Sequence, residues 1–206
     1  MVAFRERYLL RGWWLLLLCT SPAWGETATQ GDAATQSAMA GQPAYVRSEQ
    51  HYRIPDAILT DAYGKSISLA QELEADGPVI INFIYTRCAT TCPALSGSFS
   101  ELQRQLGPEM REVRLFTITI DPEHDSPARL REYAKRFRAG SGWMLLTGRR
   151  AEIVPVLKAF DAYDEDRSRH RPLTFLHAGP NAPWVRLDGL ASATELAAEY
   201  RKVTAR

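Results

Sequence analysis

Cysteine is scarce in this chain of 206 residues, with only Cys19, Cys88 and Cys92. That excludes a small scaffold stapled by several disulfides. An excess of one charge is also missing, since 25 basic residues face 24 acidic ones. Without a basic stripe there is no electrostatic footprint for nucleic acid. Long hydrophobic runs are absent too: the apolar stretch from Trp13 to Leu18 is short, and Arg11 interrupts it on the N-terminal side. A membrane-spanning helix needs ~20 consecutive apolar residues, so no permanent span is expected. What remains is an ordinary globular composition, 45% hydrophobic and 24% charged, without an internal repeat. The length suits one domain plus some unstructured chain.

The N-terminus has the order of an export signal. Arg5, Arg7 and Arg11 precede the apolar run, and Ala23-Trp24-Gly25 places small residues at the cleavage positions. Residues 1–25 are therefore read as a cleavable signal peptide, cut after Gly25. Cys19 follows the bulky Leu18, which does not suit lipid attachment. From 26 to 49 the chain is mostly Ala, Thr, Gln, Gly and Ser, too poor in bulky apolar residues to fold, and is read as a flexible leader. The domain is expected over 50–206, with order beginning near Gln50.

Within it, Ala57–Thr60 and Lys65–Leu69 flank Asp61-Ala-Tyr-Gly64 as an entrance β-hairpin. Pro78–Tyr85 is an unbroken apolar run, the pattern of a central strand covered on both faces. Leu95, Phe99, Leu102 and Leu106 then recur at helical spacing. A second strand over Val113–Ile120 leads through Asp121-Pro-Glu-His-Asp-Ser-Pro127 into a helix carrying Leu130, Tyr133 and Phe137. Trp143–Leu146 is a short strand, and the helix after it contains Pro155, which should kink or shorten it. Leu173–Leu176 and Trp184–Leu187 form a closing hairpin, and Ser192-Ala-Thr-Glu195 is a capping box. The alternation gives an α/β sandwich with a mixed central sheet of four or five main strands.

After the signal is removed, two cysteines remain, and they sit four residues apart between a buried strand and a helix N-terminus. A structural staple over so short a loop would remove little unfolded-state entropy. Helix N–H dipoles near the sulfurs would instead favour the thiolate. Thiolates select Cu(I), and imidazole suits copper as well. The mature chain offers His51, His124, His170 and His177. His170 is favoured because His170-Arg-Pro172 enters a strand where a thioredoxin fold carries a proline against its cysteine loop, and Pro172 is expected to be cis. Three readings stay open at this point: a copper site on Cys88, Cys92 and His170, a thiol–disulfide oxidoreductase using the redox pair Cys88 and Cys92, and a peroxidase or redox sensor. Asp121 and Asp125 are read as helix caps, His124 as solvated, and Tyr85, Phe83 and Trp143 as core.

Phe83-Ile-Tyr-Thr-Arg-Cys-Ala-Thr-Thr-Cys-Pro93, Thr119-Ile-Asp-Pro-Glu-His-Asp-Ser-Pro127 and the His170 segment together resemble the Sco/SenC family of copper-binding proteins. The resemblance covers about 54–203 and implies a thioredoxin-like fold. It implies copper, as Cu(I) or Cu(II), on Cys88, Cys92 and His170, held for assembly of the CuA centre of cytochrome c oxidase. A copper acceptor such as oxidase subunit II, a thiol reductant protein and a periplasmic location go with it. Many members carry an acidic residue where this chain has Arg169, and many keep an N-terminal membrane anchor where this signal reads as cleavable.

Overall fold

The computed structural model describes residues 44–205, so the expected signal peptide, its expected cleavage site and most of the expected leader lie outside the described residues. Its strands are β1 (Tyr45–Gln50), β2 (Ile58–Asp61), β3 (Ser66–Ser68), β4 (Val79–Ile84), β5 (Arg114–Thr119), β6 (Trp143–Thr147), β7 (Leu173–His177) and β8 (Trp184–Gly189). Its helices are α1 (Leu69–Glu74), α2 (Thr91–Leu106), α3 (Pro127–Arg136), α4 (Arg150–Ala159) and α5 (Ala193–Thr204). Two 3₁₀ turns, Gly107–Arg111 and Arg167–Arg169, complete the set.

All six residues of β4 are buried, because the sheet is covered on both sides. Ile80 and Ile84 enter one layer with Leu95, Phe99 and Leu102 of α2, Leu130 of α3 and Leu196 of α5. Val79, Ile81 and Phe83 alternate into the other, with Leu73 of α1 and Ile153, Val156 and Leu157 of α4. There Phe83, Phe160 and Phe175 meet edge-on or tilted at centroid distances of 5.0–5.8 Å. Burying one such side chain stabilises by ~1.5–3 kcal/mol, which is why the run around β4 dominates the architecture. The first layer also holds a buried polar chain: Trp143 Nε1 donates to Thr117 Oγ1 at 2.8 Å, and Thr117 donates to Asn82 Oδ1 at 2.7 Å.

The sheet order is β1-β8-β7-β4-β5-β6-β2-β3. β4, β5 and β6 run parallel, while β7 pairs antiparallel on the other side of β4 with Asn82 opposite Thr174. The C-terminal ends of β4 and β5 and the start of β7 therefore share one end of the sheet, the usual position of a site in such folds.

The entrance hairpin β2–β3, the closing hairpin β7–β8 and the capping box of Ser192 and Glu195 form as the sequence predicts. Gly64, at φ +90°, makes the first turn. Four expectations need correction. The sheet has eight strands instead of four or five, because both hairpins join it beside the main strands and β1 adds to the edge of β8. Regular structure is already present upstream of Gln50: β1 lies along β8, and Tyr45 and Arg47 reach the buried Glu199 at 3.3 and 2.8 Å. Such a strand is held by backbone pairing and one carboxylate, which composition does not reveal. α4 continues through Pro155 to Ala159, since Ile153, Val156 and Leu157 keep its apolar side packed. Finally, no cis peptide occurs among the described residues, so the bond before Pro172 is trans. Gly189, at φ +138°, is where β8 passes closest to β1; a side chain there would overlap the Ala44 carbonyl oxygen and come within 2.6 Å of Tyr45 Cα.

Candidate metal centre

β4 ends at Ile84 and α2 begins at Thr91, leaving a tight turn that carries Cys88. The Cys88 N–H donates to the Tyr85 carbonyl at 3.1 Å. No side chain at Thr90 caps α2. The sulfur of Cys88 takes that place, accepting the Cys92 N–H at 3.4 Å, with the Thr90 and Thr91 hydroxyls at 3.6 and 3.8 Å. Pro93 follows in the first turn, where a missing N–H leaves nothing unsatisfied.

Both cysteines are free thiols, and their acidities are driven apart. Burial works against ionisation of Cys88, yet the Cys92 thiol, the helix N–H and Thr90 outweigh it and bring Cys88 down to about 6. Burial pushes Cys92 up to about 12, reinforced by the bond to Cys88. Cys88 is thus a thiolate at neutral pH and Cys92 its proton-bearing partner. Tyr85, read from sequence as core, is only half-buried, and its phenol lies against the Cys88 sulfur. Tyr133 braces α2 from behind, its hydroxyl 2.9 Å from Ser96 Oγ and 3.4 Å from the Cys92 carbonyl.

The two aspartates after β5 are not caps. Ser126 caps α3, accepting the Arg129 N–H at 3.4 Å. Asp125, fully buried, accepts from the Thr86 N–H at 3.0 Å and from the Thr86 and Thr119 hydroxyls at 2.5 Å. Asp121, also fully buried, accepts from Arg87 Nη2 at 3.1 Å and from Arg167 Nη1, and pairs with His124 Nδ1 at 2.9 Å. Burial alone would raise its pKa, but His124, Arg87 and Arg167 hold it below the usual carboxylate range. His124 is accordingly paired as well as partly exposed. Asp121, Glu123 and His124 offer donor atoms within 4.8 Å of one another, but the charge of Asp121 is already matched by two guanidinium groups. Thr86, Arg87, Thr119 and Arg167 were not singled out from sequence, because only the tertiary fold joins them to these aspartates.

The histidine arm is the 3₁₀ turn Arg167–Arg169, capped by Asp166 through the Ser168 N–H at 2.9 Å. Arg169 points outward and pairs with Asp164 at 3.2 Å. His170 folds inward and is buried, with Nε2 2.9 Å from the Phe83 carbonyl of β4. A carbonyl only accepts, so Nε2 carries the proton in the neutral ring. Nδ1 has no partner, and burial lowers the imidazole pKa. The structure therefore brings Cys88 and Cys92 together and sets His170 on the strand that delivers them. Their three donor atoms do not converge within 4.8 Å of one another among the described residues. His177 lies at the far end of β7, stacked on Trp184 at 4.4 Å, and His51 is exposed; neither belongs to the site.

A helix-capped dithiol at the end of a mixed sheet, one sulfur acidic and the other buried, defines the chain as a thioredoxin-like dithiol protein. Residues 55–204 match the SCO1/SenC family model, and the chain belongs to that family. It is 30% identical to the SCO1 protein homolog of Bacillus subtilis over 145 residues, 66% of this chain and 73% of that one. The copper-bound structure of Bradyrhizobium japonicum ScoI is 28% identical, with a TM-score of 0.62 over 73% of this chain and 99% of its own. BsSco, described as a member of the Sco family of cytochrome c oxidase assembly proteins, shares the fold at 24% identity and a TM-score of 0.64 over 78% of this chain and 98% of its own.

Proposed function

We propose that this chain is an exported copper carrier, in which Cys88, Cys92 and His170 hold the ion as cargo and pass it to an acceptor by ligand exchange. The CuA site of cytochrome c oxidase subunit II is the proposed destination and the periplasm the proposed compartment, after cleavage at Gly25. The observation that carries this reading is the donor set itself: an acidic thiol in contact with a second thiol, and a neutral imidazole whose Nδ1 is a buried lone pair without a partner. The Nε2–H on the Phe83 carbonyl is the kind of outer contact that fixes a ligating histidine's tautomer and raises its basicity. Two thiolates and an imidazole suit a soft copper ion. Because the three donors do not converge within 4.8 Å, the carrier reading requires a movement of the His170 arm toward the sulfurs. No helix among the described residues is long and apolar enough to cross a membrane.

The same acid split supports a second reading, thiol–disulfide exchange. Cys88 would attack a partner disulfide, and Cys92 would then close the intramolecular bond and release the partner as a dithiol, two electrons passing to it. The two readings meet in one requirement. A Cys88–Cys92 disulfide must take two electrons and two protons from a partner dithiol before both sulfurs are free for metal.

Competition between the reduced full chain and a Cu(I) chelator separates them. The carrier reading requires one tightly held copper that weakens in Cys88→Ser, Cys92→Ser and His170→Ala. Copper-independent exchange activity that survives His170→Ala, without competitive copper binding, leaves the oxidoreductase.

A further inference from the structure

Two segments carry the candidate ligands, and they arrive from different strands. Arg87 immediately precedes Cys88 on the connection out of β4, while Arg167 opens the turn that ends at His170. The pairing of β4 with β7 sets the bases of the two segments side by side, but no backbone hydrogen bond joins the segments themselves. Both guanidinium groups nevertheless end on the same carboxylate, Asp121, which has no solvent exposure. A carboxylate removed from water must be compensated by partners, so this one holds both arginines firmly.

Arg167 is tied to His170 as well as to Asp121. Its carbonyl accepts the His170 N–H at 3.2 Å, so one residue anchors the histidine by its backbone and the buried aspartate by its side chain. Besides the buried bond from His170 Nε2 to the Phe83 carbonyl, the ion pairs of the arm lie at the surface: Arg169 with Asp164 and Asp166, both through a side chain 69% exposed. Exposed pairs of that kind contribute little. On the cysteine side, Asp125 grips Thr86 while Asp121 grips Arg87, so the loop is braced at two successive residues.

We propose that Arg87, Asp121 and Arg167 form a clasp that sets the His170 arm at a fixed height over the cysteine loop, making Asp121 and Arg167 positioning residues of the copper site. The proposal rests on the carrier reading, with His170 as a ligand. The clasp limits how far the arm can travel from the position in which Nε2 donates to the Phe83 carbonyl. Lysine at position 167 would supply a point charge where arginine supplies a planar fork, and would restore the clasp only in part.

The test compares Arg167→Gln and Arg167→Lys with the parent, each also in a His170→Ala background, using the reduced full chain, Cu(I) and a competing chelator. Arg167→Gln leaves Arg87 and His124 on Asp121, so it is expected to lower the melting temperature without unfolding the chain, and Arg167→Lys to lower it less. Arg167→Gln is expected to weaken copper by ~10–100-fold in the parent, as loss of an outer contact to a ligand does, and not at all when His170 is already gone. Arg167→Lys should fall between, and nitrogen hyperfine structure in the Cu(II)-loaded spectrum should fade in Arg167→Gln. Unchanged affinity in Arg167→Gln, beside a weakened His170→Ala, overturns the clasp and leaves the carrier reading intact. Equal weakening in both backgrounds also overturns it, by showing a general effect on the fold. A His170→Ala variant that binds copper like the parent removes the carrier reading itself, and the clasp with it.

Discussion

The cysteine arm and the histidine arm are built on opposite principles. The first is a six-residue connection between a fully buried strand and a 16-residue helix, braced by Asp125 and by the helix N–H on Cys88. The second is a surface turn whose own contacts are mostly exposed, entering the interior only through the Arg167 side chain and the His170 ring. The two thiols are preassembled, and the proposed third donor, the His170 imidazole, is tethered nearby. Under the carrier reading, a site of this form keeps its thiols ready while the last ligand engages or withdraws.

The sharpest break of this contrast is Cys92→Ser, which removes a proposed ligand from the rigid arm. Copper retention against a chelator should fall by more than the ~10–100-fold that losing an outer contact costs, with the fold kept. Next in size is Asp125→Ala, which strands the Thr86 N–H and two buried hydroxyls. Each buried donor left without an acceptor costs about 1–3 kcal/mol, and urea unfolding should show a clear drop in midpoint.

A pH series sharpens the comparison without mutation. Alkylation should modify Cys88 with a midpoint of about 6, while Cys92 stays protected until about 12 or until the protein unfolds. The two buried histidines set the acid side: His170 and His177 both have lowered pKa values, so neutral rings favour the fold and that contribution is lost as pH falls below the normal histidine range of about 6.5. Melting temperature measured between pH 7 and pH 5 should decline. The smallest effect belongs to the flexible arm: Asp166→Ala removes the cap of the 3₁₀ turn and should cost ~0.5–1 kcal/mol or less. An Asp166→Ala effect as large as that of Asp125→Ala would erase the distinction between the arms.

The same contrast explains what the sequence made legible. Periodicity and apolar content carried β4, α2 and both hairpins, because those elements are selected by burial. The dithiol was legible as well, since four-residue spacing at a helix N-terminus is a local property. The roles of Asp121 and Asp125 were not. An aspartate before proline or serine reads as a cap, and only parallel pairing of β4 with β5 turns it toward Thr86 and Arg87. Arg167 gave no signal among 25 basic residues, since its partner lies 46 positions away. β1 was missed for a related reason: Tyr-Val-Arg-Ser-Glu-Gln has little to bury, and its place is set by β8 and Glu199.

The close passage of β8 at Gly189 bears on colloidal behaviour. Any side chain there would displace β1 from its ladder, at a backbone angle that other residues rarely adopt. β8, now an inner strand, would then become an unprotected sheet edge able to pair with β-strands of other molecules. Gly189 thereby keeps β8 covered by β1, and Gly189→Val is expected to show concentration-dependent aggregation before any loss of thiol reactivity.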